Sequence, residues 1–231
     1  MVVVRFEDYI ARLRTRLSRP LPGLAAQELM APRERVTPKY RTAPADARYG
    51  AVLILLVEGP APEPAPQTAV GPAPGAAPQA AVELPLIVRA DDGTTHGGQI
   101  GLPGGGVEHG DSFPGDTALR EAQEEIAAVP AQVEVLGELT PLYIWVSNYL
   151  ITPVVGAYRG DPAGFEANPA EVEEVVRVRL EDLRNGRTRR HVEARGIPRH
   201  VPAYVAGDIE VWGATAMVLS EFFAVHEEVV G

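Results

Sequence analysis

The run Gly104-Gly105-Gly106-Val107-Glu108-His109-Gly110-Asp111 is followed, after eight intervening residues, by Arg120-Glu121-Ala122-Gln123-Glu124-Glu125, and no other segment restricts the chain as much. A glycine turn here feeds a helix. That helix displays three glutamates within five positions, and helical spacing puts 121, 124 and 125 on one face. Three carboxylates on one face repel one another, so a positive charge is expected between them. The economical candidate is a hard divalent cation, which takes oxygen ligands and keeps several waters for a phosphate-bearing substrate. A solvated acidic face would account for the glutamates alone. It leaves unexplained the Pro103-Gly104-Gly105-Gly106 turn before them, and Asp111 and Arg120 at the helix start. Arg120 lies four positions before Glu124 and is spaced to brace it, while Asp111 is placed to pin Arg120 from the loop.

These residues resemble a known family. Residues 105–128 look like a Nudix box, whose pattern is Gly, five residues, Glu, seven residues, Arg-Glu-apolar-any-Glu-Glu-any-Gly-apolar. Asp111 replaces the first Glu, eight residues rather than seven precede Arg120, and Ala127 stands where the final Gly is usual. The Asp keeps a carboxylate for Arg120. It and the extra residue are both usual in the coenzyme A pyrophosphatase-like branch of the superfamily. His96-Gly97-Gly98-Gln99-Ile100 ahead of Pro103, Leu136-Gly137 through Pro141-Leu142-Tyr143, Ser147-Asn148-Tyr149, Pro153-Val154-Val155-Gly156 and Val211-Trp212-Gly213-Ala214-Thr215-Ala216 are similar to the same branch. The resemblance spans roughly residues 50–223. Leu86-Ile87-Val88-Arg89 supplies one arginine of the branch's coenzyme A motif, but Thr94 stands near where a second is expected.

The resemblance implies an α+β fold, an α/β/α sandwich with a mixed β-sheet and a catalytic loop-helix. It implies a hydrolase using Mg²⁺ or Mn²⁺ that cleaves the pyrophosphate bond of a nucleoside-diphosphate-linked compound. Coenzyme A or acyl-CoA leads, giving 3′,5′-ADP and 4′-phosphopantetheine, with ADP-ribose or NADH behind. A catalytically silent nucleotide sensor is the alternative of another class; silent relatives usually lose the metal glutamates, and all three are present here. Glu121, Glu124 and Glu125 are the expected metal ligands, Glu121 serving as a further ligand or as the base. Asp111 and Arg120 complete the catalytic set, and Glu171, Glu173 and Glu174 are candidates for a distal carboxylate. Arg89, His96, Gln99, Gly104 and Gly105 are the expected substrate-side residues.

Pyrophosphate cleavage sets the same requirements from chemistry. Two mutually repelling phosphates are joined, so charge on their oxygens must be neutralised while water arrives in line. Divalent ions held by glutamates supply the first need and ease loss of a proton from water; a carboxylate must accept that proton. Tyr143, Trp145 and Tyr149 could stack on a nucleobase, though aromatics at strand spacing more often fill a core.

The rest of the chain bounds the setting. With 231 residues and 45% hydrophobic content it can bury a full core. There is no cysteine, so disulfides, thiolate zinc sites and cysteine nucleophiles are excluded. A net charge of -10 argues against general affinity for nucleic acid or anionic membranes; the expected partner is a small-molecule nucleotide. Nothing resembles a signal peptide or spanning helix, which points to the cytoplasm, and a homodimer is the assembly that the family raises.

Phe6, Ile10, Leu13 and Leu17 predict an amphipathic helix over 6–18, before Pro20, with an irregular wrapping segment over 19–48. Residues 1–48 thus precede a hydrolase domain at 49–231. Strands are expected at 51–57, 84–89, 133–139, 149–158 and 172–180, with Asp91-Asp92-Gly93 as a turn. Pro153 should put its strand at an edge or bulge. Residues 59–82, mostly Ala, Pro, Gly and Gln, read as an extended surface loop without a function of its own. The catalytic helix should end at 128 with Leu119, Ala122 and Ile126 as its core stripe, and a last helix should cover 214–226, with Trp212 anchoring it. Arg189-Arg190-His191 reads as a solvated basic spot.

Overall fold

The apolar run at 51–57 organises the layers, because both of its faces are covered. In the computed structural model, which describes residues 5–32, 41–60, 81–90, 97–194 and 197–231, it lies within β1 (Arg48–Gly59). Ala51, Leu53, Leu55 and Val57 enter one core, Ile54 and Leu56 another. A strand buried on both sides carries an unbroken apolar run rather than an alternating one. It pairs in parallel with β7 (Tyr149–Tyr158) and antiparallel with β2 (Ala81–Arg89) and β4 (Gly104–Gly106). β3 (Ile100–Gly101) and β8 (Val172–Arg179) join β2, while β5 (Val133–Glu138) and β6 (Leu142–Ile144) join β7. The sheet is therefore mixed.

One core is closed by α3 (Gly115–Ile126) through Ala118, Ala122 and Ile126. The other is closed by α1 (Phe6–Leu17) and α5 (Gly213–Val230). Helices on both faces of one sheet make the expected α/β/α arrangement. Phe6, Tyr9, Ile10, Leu13 and Leu17 recur at helical spacing and are all buried, so α1 shares a core with the sheet. No described helix is long and apolar enough to cross a membrane.

Three features differ from expectation. The segment expected to be irregular holds a short helix, α2 (Leu24–Glu28), fixed by α5: Ser220 Oγ donates to Ala26 O at 2.7 Å, and the fully buried Glu221 carboxylate accepts from Gly23 N, Gln27 Nε2 and Thr140 Oγ1. Second, after α4 (Leu180–Asn185) the chain forms a separate antiparallel sheet of β9 (Arg187–Ala194), β10 (Ile197–Ala206) and β11 (Ile209–Trp212). Its basic residues masked the strand pattern. Arg189, Arg190 and His191 are exposed on β9, and Arg190 pairs with Glu210 at 3.3 Å.

Third, Pro153 lies on an interior strand, not an edge. Residues 149–151 of β7 face β6 and residues 154–158 face β5, and Pro153 falls at that handover, its carbonyl accepting from Leu139 N at 2.9 Å. A missing N–H does little harm on this side, where no register partner stands, while Pro153 keeps its place opposite Val52 of β1 on the other. Of the low-complexity segment, residues 61–80 lie outside the described residues, as do 33–40 and the turn at 91–93. Gly59 and Ala81, on either side of it, are register partners.

The catalytic helix ends at Ile126, two residues before the expected 128, and with an unusual residue after it. Ala127 adopts the left-handed conformation, φ 55° and ψ 24°, and donates to Gln123 O, while Ala128 N donates to Ala122 O. A Cβ in that conformation costs about 1–2 kcal/mol, partly offset in the unfolded chain by glycine's greater freedom. Ala127→Gly should therefore raise unfolding free energy by about 1 kcal/mol in urea titrations. No gain, or a loss, would mean that the turn is relaxed with alanine.

Candidate metal site

The glycines come first, because they let the glutamates reach the sheet. A Cβ on Gly104, whose φ is +152°, would sit 2.3 Å from Ala51 O, and one on Gly105 would sit 2.5 Å from the Glu121 carboxylate. Only hydrogen fits at either place. Gly104 N donates to Glu125 Oε2 at 2.7 Å, so β4 receives both inward glutamates of α3.

The three helix glutamates are not presented alike. At about 100° per residue, positions 121 and 125 are about 40° apart, whereas 124 and 125 are about 100° apart. Glu121 and Glu125 are buried beside Ala118 and Ala122, and the Glu124 side chain is 50% exposed, on Arg120. The third carboxylate of the cluster is Glu171. Ligand oxygens of Glu121, Glu125 and Glu171 all lie within 4.8 Å of one another.

Glu171 reaches the cluster through backbone hydrogen bonds. The last carbonyls of α3 are capped from the following loop: Glu166 N donates to Ile126 O at 3.2 Å and Asn168 N to Glu125 O at 3.0 Å. Asn168 O then accepts from Glu171 N and Val172 N, and Ala90 N donates to Glu171 O at 3.0 Å. The β2–β8 register shifts between Val88 and Arg89 at this point, which re-aims both strand ends toward the cluster. Glu173 and Glu174, the other distal candidates, are exposed and outside it.

Arg120 is fixed from several sides. Its Nη2 donates to Gly106 O at 2.8 Å and to Asp111 Oδ2 at 3.2 Å, and its Nη1 to Glu124 Oε2 at 2.9 Å, with Glu121 Oε1 at 3.1 Å. Asp111 also accepts from Glu108 N and Thr117 Oγ1. The Arg120 hydrogen bond, then that of Glu108 N, holds the Asp111 carboxyl down at about 2. The expected brace from Asp111 through Arg120 to a glutamate is thus present, reaching Glu121 as well as Glu124.

Burial pushes the Glu125 carboxyl up to about 7, against the opposing pull of Arg89 and Gly104 N. Burial likewise raises Glu121, with Arg120 acting against it. Charged carboxylates are disfavoured here unless a cation joins them. All donors are hard oxygens, two are backed by a rigid helix, and the third faces solvent; the set fits a divalent ion of the magnesium or manganese kind.

Arg89, an expected substrate-side residue, lies beside the cluster. Its Nη1 lies 3.6 Å from Glu125 Oε1 and its Nη2 donates to Gly104 O at 3.4 Å. Gln99 O accepts from Arg89 N. His96 and Thr94 lie outside the described residues. The aromatics are not core: Trp145 is exposed, Tyr143 donates to Asn148 Oδ1 at 2.9 Å, and Tyr149 lies under Arg48 at 4.1 Å. Trp212 sits at the start of α5.

A family model described as NUDIX domain matches residues 78–199. Uncharacterized Nudix hydrolase NudL of Shigella flexneri is 31% identical over 201 residues, covering 86% of this chain and 93% of that protein. The protein of the same description from Pectobacterium atrosepticum is 35% identical over 155 residues, covering 60% of this chain and 72% of that one. Among solved structures, a Nudix hydrolase from M. Smegmatis, RenU, aligns with a TM-score of 0.48 at 16% identity, covering 82% of this chain and 96% of that one.

Proposed function

The chain belongs to the Nudix domain family and is a pyrophosphohydrolase of nucleoside diphosphate derivatives; from that premise we propose that it hydrolyses coenzyme A or acyl-CoA at a Mg²⁺ or Mn²⁺ site made by Glu121, Glu125 and Glu171. The convergence of these carboxylates within 4.8 Å, two of them buried, carries the reading. An ion held there supplies positive charge against the pyrophosphate oxygens and makes water easier to deprotonate.

The chain's own residues do the rest. Gly104 N fixes one oxygen of Glu125 and leaves the other toward the cluster. Arg120 orients Glu121 while Asp111 and Gly106 O hold Arg120. Glu171, the exposed member, is open to solvent and accepts the proton of the attacking water. That water oxygen bonds to one phosphorus as the bridging P–O bond breaks, and the other phosphate leaves as an anion carrying the bridging oxygen. Glu124 supports Arg120 from outside instead of ligating.

Coenzyme A is favoured by the residues of the box itself, Asp111 with eight residues before Arg120, and by Arg89 in the upstream motif. With Thr94 in place of a second arginine, selection for the 3′-phosphate should be weak. Purified protein with Mg²⁺ or Mn²⁺ should release 3′,5′-ADP and 4′-phosphopantetheine from coenzyme A, with modest preference over dephospho-coenzyme A. Cleavage of ADP-ribose or NADH with a kcat/KM about tenfold above that for coenzyme A would reject the substrate and leave the metal site standing, a gap of about 1.4 kcal/mol.

A further inference from the structure

We propose that Arg89 is a built-in counter-cation of Glu125, a positioning residue that neutralises the buried carboxylate until a divalent ion takes its place. The inference rests on Glu125 being a metal ligand, as above. The two arginines of the site are held very differently. Arg120 makes hydrogen bonds at 2.8, 2.9 and 3.2 Å to three partners. Among the described residues, Arg89 makes a long contact to Gly104 O at 3.4 Å and faces Glu125 Oε1 at 3.6 Å, beyond hydrogen-bonding range. Its side chain is 34% exposed, so solvent lies beside it.

The register shift between Val88 and Arg89 places this guanidinium at the strand end beside the cluster, where a Cβ on Gly101 would lie 3.5 Å from its Nε. Charge explains the placement. Glu125 is 1% exposed and, among the described residues, Gly104 N is its hydrogen-bond donor, so an adjacent cation offsets part of its desolvation. A guanidinium stays charged at any working pH, which makes it a permanent partner. A divalent ion on Glu125 carries twice the charge at shorter range and repels Arg89. Metal entry and the Arg89–Glu125 contact therefore oppose each other.

Mn²⁺ affinity of the full chain, measured by electron paramagnetic resonance at pH 8, tests this without reference to turnover. Arg89→Ala should bind Mn²⁺ about tenfold more tightly, the scale of one partly screened charge, and its metal-free melting temperature should fall below that of the parent. Arg89→Lys, which keeps the charge, should bind close to the parent. If Arg89→Ala does not fold, Arg89→Gln retains most of the bulk and serves the same comparison. Unchanged or weaker Mn²⁺ binding with the charge removed would overturn the proposal, weaker binding marking Arg89 as a brace that orients the ligand. Parent-like Mn²⁺ affinity in Glu125→Gln would instead bring down the metal-site reading itself.

Discussion

Glu125→Gln should lower kcat by about 10²- to 10⁴-fold, the range seen when an element of charge stabilisation is removed. The amide oxygen can still accept from Gly104 N, so the fold should hold. Its effect on stability has the opposite sign. Burial raises the folded-state carboxyl of Glu125 to about 7, above its ordinary value of 4.5. A raised carboxyl means that the folded state binds more protons than the unfolded one between those values. The stability it contributes is full below about 4.5 and is lost as pH rises through about 7. Gln does not titrate. Metal-free Glu125→Gln should thus match the parent near pH 4.5 and exceed it at pH 8 by up to about 3 kcal/mol. Saturating Mg²⁺ or Mn²⁺ should close that gap by stabilising the parent alone. Chemical denaturation at the two pH values, with and without metal, measures both halves; half of parental turnover retained at saturating metal would remove Glu125 from the site. Glu124→Gln should cost much less, since its carboxylate is half exposed on Arg120.

Arg120→Ala should have the second-largest effect. It leaves Glu121 partly buried without its cation, and Asp111, Glu124 and Gly106 O without their donor. The carboxylate ligands remain, so metal affinity and activity should each fall by about 10- to 100-fold, as for other residues that orient metal ligands. Arg120→Lys should recover only part, because a point charge cannot reach these partners as a fork does. Asp111→Ala should lose less than Arg120→Ala, since the other Arg120 contacts survive. If the pair acts as one brace, the double variant should be no worse than Arg120→Ala. Additive losses in a double-mutant cycle on kcat/KM would show two independent roles.

Much of this arrangement was legible because it is local. The glycines of β4, the braced arginine and the buried spacing of Glu121 and Glu125 all follow from helix period and backbone clearance within residues 104–125. The strands at 51–57, 84–89 and 149–158 announced themselves by apolar runs long enough to be buried. The ambiguity lay in the third glutamate. A window of five residues shows three carboxylates but not that Glu124 turns about 100° away from Glu125 onto the Arg120 side.

The sequence by itself determined the class of chemistry: a glycine-backed acidic helix with a bracing arginine, in a chain able to form a mixed sheet. Tertiary structure decided which oxygens meet. Glu171 is 46 residues beyond Glu125 and joins it only because Asn168 caps the end of α3 and Ala90 ties Glu171 to the end of β2. The same register shift sets Arg89, expected on the substrate side, 3.6 Å from Glu125 Oε1. The three-stranded sheet at 187–212 and the α2 segment escaped notice for a related reason, since both depend on α5 for burial and for partners such as Glu221. Spacing along a helix is set by backbone geometry, whereas contacts between distant segments are set by where loops close, and no short pattern of residue types records that distance.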